Sequence, residues 1–127
     1  MLNRHELREK IVFALYQHRL LHSDLYECFS NNFEDIPEDD FVKSIKIDLI
    51  ENEDNYIEEI SKYLVKWSFD RLNLVEQAIL LESASEIKLN LNDSAVVIDE
   101  AVILTKKYCD DESYKYINGV LDNICKK

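Results

Sequence analysis

The chain has 127 residues, one glycine, one proline and a formal net charge of −11. Tight turns and hairpins draw on glycine and proline, so the composition argues against a sheet-rich protein, and the acid excess argues against non-specific nucleic-acid binding, which neutralises phosphates. With 46% hydrophobic residues there is enough apolar surface for one all-helical domain.

In chain order, Leu7, Ile11, Ala14, Leu15 and Leu21 follow helical spacing and predict a first helix over residues 3–22. That segment carries four basic side chains (Arg4, Arg8, Lys10, Arg19) against Glu6 and Glu9, a local charge of +2, while residues 23–127 carry −13. All three histidines, His5, His18 and His22, lie there as well. Ser23 is a candidate N-cap for a short second helix reaching about Asn31. Pro37 suits the start of a third helix, with Glu38, Asp39 and Asp40 at its positive end and Phe41, Ile45, Leu49 and Ile50 as its stripe. The acidic run "ENEDN" (51–55) marks a boundary, after which Tyr56, Ile57, Ile60, Leu64 and Trp67 predict a fourth helix. A fifth is expected over 73–88 and a sixth from Asp93 as N-cap, with Val97, Ala101, Leu104 and Tyr108 in its stripe. Tyr114, Ile117, Leu121 and Ile124 mark a seventh. The lone glycine, Gly119, falls inside that last helix, on the side away from its apolar stripe. Glycine there costs about 1 kcal/mol relative to alanine.

Enzyme motifs are absent, because one glycine cannot build G-x-S-x-G, a P-loop or G-x-G-x-x-G. His18 and His22 stand four apart on a helix, a spacing that can hold zinc. The string "HRLLH" lacks the glutamate of H-E-x-x-H, however, so a solvated or RNA-facing pair is the simpler reading, and no metal or cofactor is expected. The acidic pairs read as helix starts and solvated faces, and Cys109 and Cys125 as small apolar fillers. Three cysteines without C-x-x-C fit reduced thiols in a cytoplasmic setting. No leader-like or membrane-length apolar run appears. The basic first helix, with Tyr16 nearby as a stacking group, could face RNA phosphates or be an ordinary amphipathic helix.

Three stretches, in order, match one family. "RHELREKIVFALYQ" (4–17) resembles the opening of the transcription antitermination factors of the NusB family. "WSFDRLNLVEQAIL" (67–80) is similar to their "W…RL…V-[DE]-x-A-[IVL]-L" segment. "AVVIDEAVILTKKYCDDESYKYINGVLDNI" (95–124) is similar to their long C-terminal signature. The resemblance implies an all-α fold of about seven helices in two packed subdomains, about 1–66 and 67–127. It also implies a non-catalytic role. Such proteins pair with the ribosomal protein NusE, bind boxA RNA in ribosomal RNA leaders and join the RNA polymerase elongation complex with other Nus factors. By resemblance, Arg4, His5, Arg8, Glu112, Lys115 and Tyr116 fall on the RNA side, and Tyr16 and Glu76 on the NusE side. The chain departs from the pattern at Glu6, Leu81, "SEI" (85–87), Asp99 and Cys109, and the thinned arginines imply weaker RNA contact. A NusB-like interaction module or homodimer with little boxA preference is the alternative. The "INGVLD" match implies that something approaches the backbone at Gly119, either a neighbouring helix or a bound partner.

Overall fold

A computed structural model describes residues 2–126 as six α-helices and one 3-10 turn. α1 (Arg4–Leu21) begins on a capping box. The Asn3 side chain accepts from the Glu6 N–H at 2.8 Å, and the Glu6 carboxylate accepts from the Asn3 N–H at 3.0 Å. It ends at His22, which turns the chain in the left-handed region (φ 55°). α2 (Leu25–Asn32) is capped by Asp24, not Ser23. The Ser23 carbonyl instead accepts a hydrogen bond from His18.

α3 (Asp40–Ser61) replaces the predicted third and fourth helices by a single rod, capped by Asp39. "ENEDN" does not break it, since the run contains neither glycine nor proline and the buried stripe passes straight through it from Leu49 to Tyr56 and Ile60. Asn52 and Tyr56 both donate to Asp48, which ties successive turns together. The helix stops at Ser61, so Leu64 and Trp67 lie in the connector beyond it, and Trp67 is exposed. A 3-10 turn (Phe69–Arg71) then leads into α4 (Leu74–Lys88), α5 (Ser94–Tyr108) and α6 (Ser113–Cys125), close to the predicted spans.

α4 is the central helix, packed against α1, α3, α5 and α6. Every residue from Glu76 to Glu86 is buried, as expected for a helix enclosed on all sides. Its polar residues are therefore placed against partners on surrounding helices. The Ser85 hydroxyl donates to Asp48 of α3 at 2.6 Å, and Gln77 accepts from Arg19 of α1 at 3.0 Å. One hydrophobic core, including Ile11, Leu15, Ile45, Leu49, Ile79, Leu80 and Leu121, joins the two halves of the chain through α4.

Candidate functional site

The first part of α1 lies along α5. Arg4, on the first turn, is exposed and stacks over the Phe41 ring at 4.1 Å. His5 pairs through Nδ1 with Glu100 of α5. One turn further on, Glu9 accepts from Lys107 Nζ at 2.7 Å and from the Tyr108 hydroxyl at 2.6 Å. These contacts hold the Glu9 carboxyl below the usual carboxylate range. Phe13 meets the Tyr108 ring edge-on at 5.7 Å.

Arg8 corrects an expectation. It is only 2% exposed, and its guanidinium donates three hydrogen bonds to Glu86 of α4, at 2.6, 2.9 and 3.1 Å. Arg8 is thus a strut between α1 and α4 beneath the surface, not a side chain offered to phosphate. Asn92 also donates to Glu86, at 2.8 Å. Burial works to raise the Glu86 carboxyl, but Arg8, Glu82 and Asn92 together hold it below the usual range. Its neighbour Glu82 is also buried, and its Oε2 has no hydrogen-bond partner among the described residues. Burial, and then the Glu86 charge, push its pKa well up. Both effects favour the neutral acid, as does its hydrogen bond with the Glu86 carboxylate.

At the far end of α5, a groove of about 1010 Å³ opens between the connector after α3, the start of α4 and the start of α6. Trp67, Arg71, Glu76, Tyr108, Glu112, Tyr116 and Gly119 are among its lining residues. Three of the sequence-derived site residues, Glu76, Glu112 and Tyr116, thus come together. Tyr116 and Glu76, assigned by resemblance to different faces, are hydrogen-bonded: the phenol donates to Glu76 Oε1 at 2.9 Å. Lys115 points to solvent, paired at 2.6 Å with Glu112, and both are exposed.

Arg4 and His5 do not join this groove. Glu100, the partner of His5, is eight residues before Tyr108 on α5, or about 12 Å along the helix. Between them, α5 presents Lys106, over the Tyr114 ring at 4.4 Å, and Lys107. Sequence reasoning passed over both lysines, although the pair "KK" at a helix end was visible. Tyr16, half-buried, packs against the core on α1. Three residues beyond it, Arg19 reaches Gln77, the neighbour of Glu76, so α1 and α4 lie side by side here.

Gly119 is exposed, and a methyl group placed on it would meet nothing within 4 Å. Among the described residues no neighbouring helix approaches it, which removes one of the two readings of this position. It faces the open groove. His18 is also accounted for: its Nδ1–H donates to the Ser23 carbonyl at 2.6 Å and its Nε2–H to Glu53 at 2.8 Å. Both partners are acceptors, an arrangement that favours the doubly protonated ring, and the Glu53 hydrogen bond raises its pKa. His22 is exposed at the end of α1. Among the described residues no helix is long and apolar enough to cross a membrane.

Comparison with known proteins gives a consistent result. The family model described as the NusB family matches residues 5–126. The transcription antitermination protein NusB of Clostridium botulinum (strain Alaska E43 / Type E3) is 40% identical over 136 aligned positions, covering 99% of this chain and all of the relative. That of Bacillus subtilis (strain 168) is 32% identical, covering 97% and 95%. Among solved structures, a crystal form of T. maritima NusB superposes with a TM-score of 0.88 at 30% identity, covering 99% of this chain and 92% of the other. A crystal structure of antitermination factors NusB and NusE in complex with dsRNA contains a chain that matches with a TM-score of 0.84 at 28% identity, covering 97% and 96%.

Proposed function

This chain belongs to the NusB family, and on that premise we propose that it is a transcription antitermination factor that pairs with NusE and binds RNA. The observation that carries the reading is the full-length likeness to NusB chains, including one solved with NusE and double-stranded RNA. The RNA in question is boxA of ribosomal RNA leaders. The complex acts in the cytoplasm on the RNA polymerase elongation complex with other Nus factors. It acts by binding, without a catalytic step.

The RNA surface proposed runs along α5 from Arg4 and His5, past Lys106 and Lys107, to Lys115 and Tyr116 at the start of α6. Its support is the array of exposed cations with an aromatic at one end, which suits phosphates and an unstacked base. Glu112 borders it as the pairing partner of Lys115. Arg8 contributes from below by fixing α1 on α4. The NusE surface proposed includes Tyr16 and Glu76.

A titration of the chain with NusE, followed by boxA RNA with and without NusE, tests the reading. Submicromolar to micromolar pairing and tighter RNA binding with NusE present are expected. Failure to bind NusE at micromolar concentration rejects it. A second reading, a NusE-binding or self-associating module with little boxA preference, is favoured by one observation. Acids already pair with Lys107, Lys115 and His5. RNA affinity that does not change with salt supports this second reading.

A further inference from the structure

Glu76 is only 8% exposed, yet its carboxylate accepts a single hydrogen bond among the described residues, from the Tyr116 hydroxyl. None of the ion pairs formed by the described residues involves it. A carboxylate has about four lone-pair sites, and Glu76 lines the wall of an open groove. Its second oxygen is not among the fully enclosed side-chain atoms without a partner, so it is reachable from the groove. Two other polar groups stand close to it. The Cys109 thiol is pushed up to about 11 by burial and by the charges of Glu76 and Asp110, so it is neutral. The Tyr116 phenol is pushed above its ordinary value by burial and by its bond to Glu76, so it remains a donor.

We infer that the Tyr116 hydroxyl is a positioning group for Glu76, holding Oε1 so that the remaining carboxylate lone pairs face the groove for a cationic side chain of the protein partner. The inference rests on the reading above, in which Glu76 faces NusE. It assigns Tyr116 two roles. The ring serves the RNA side, and the hydroxyl serves the partner side. The physical reason is rotamer control, since a glutamate has three free torsions and one fixed hydrogen bond removes most of that freedom. The occupant expected at Glu76 is a lysine, arginine or protonated histidine, because a carboxylate with one neutral donor gains most from a charged one.

The test compares wild type, Glu76→Gln, Tyr116→Phe and the double variant by calorimetric titration with NusE. Each single change should weaken NusE binding by about tenfold, as expected for one charge-assisted hydrogen bond. The double variant should lose no more than either single one, since both remove the same interaction. Tyr116→Phe without effect, or effects that add in the double variant, overturns the positioning role while leaving the proposed function standing. Glu76→Gln without effect removes Glu76 from the partner surface, and the inference falls with it.

Discussion

Arg8, Glu86 and Glu82 show how far one residue's surroundings can change its meaning. In the sequence, Arg8 is one basic residue in a basic segment, and nothing marks it as different from Arg4. In the folded chain it neutralises a carboxylate on the central helix, and its loss leaves Glu86 buried without a cation. Arg8→Ala should therefore destabilise the fold by about 3–5 kcal/mol in urea or thermal unfolding. Any loss of RNA binding should follow unfolding and not a missing phosphate contact. Glu82 behaves in the opposite way. Its pKa is raised in the folded state, so its favourable contribution is complete below the ordinary value of 4.5 and declines as pH rises through the folded value. Glu82→Gln stays neutral at every pH and keeps a donor for Glu86. It should stabilise the protein by about 1 kcal/mol at neutral pH, and the gain should be larger at pH 8 than at pH 5. A gain independent of pH would contradict a neutral, buried Glu82.

At the scale of elements, α1 is bound to α3 through His18 and Glu53, and to α4 through Arg8 and Arg19. The His18 pKa is raised, chiefly by the Glu53 hydrogen bond, so its contribution is present below about pH 6.5 and lost as pH rises through the folded value. Burial opposes ionisation of Glu53, but His18 and Arg19 bring its pKa below 4.5, so its contribution is present above that value and lost in acid. The pair is thus strongest between about pH 4.5 and 6.5. His18→Gln should cost about 1 kcal/mol there by thermal unfolding and less at pH 8. On α6, Gly119 has free space around it and sits in a helix. Gly119→Ala should raise stability by about 0.5–1 kcal/mol. It should also weaken whichever ligand lies against the groove, as titrations with NusE and RNA would reveal. Unchanged binding of both would mean that the open groove wall at Gly119 is not contacted.

For the whole molecule, the question is how a chain of charge −11 would bind RNA as proposed. Six of its fifteen Lys and Arg residues lie on α1 or at the end of α5, and several of the chain's cations are matched by its own acids. On the proposed RNA surface, Arg4 and Lys106 enter no ion pair among the described residues. RNA affinity should thus fall with salt with a slope of about −1.4, from roughly 0.7 for each of these two phosphate contacts. Glu9→Gln, which releases Lys107 and removes one negative charge, should tighten RNA binding roughly threefold at low salt and less at high salt. No change at low salt would exclude Lys107 from the RNA surface.

The all-helical class, the single glycine's place in the last helix and the spans of α4, α5 and α6 were legible from composition and periodicity. So was the family, because its signature is a run of local residue types. Local order of that kind is carried by the chain itself: helical spacing, caps and turn residues act over a few positions. The fusion of two predicted helices into α3 was not legible. An acidic run can end a helix or simply face solvent, and only the buried path from Leu49 through Tyr56 decides between them. Nor could the sequence separate the buried Arg8 from the exposed Arg4, or place Tyr116 on Glu76, forty positions earlier. Those pairings depend on which helix faces come together around α4. Charge and hydrogen-bond partners across that packing, not residue type, decide which side chains brace the fold and which remain open to a ligand.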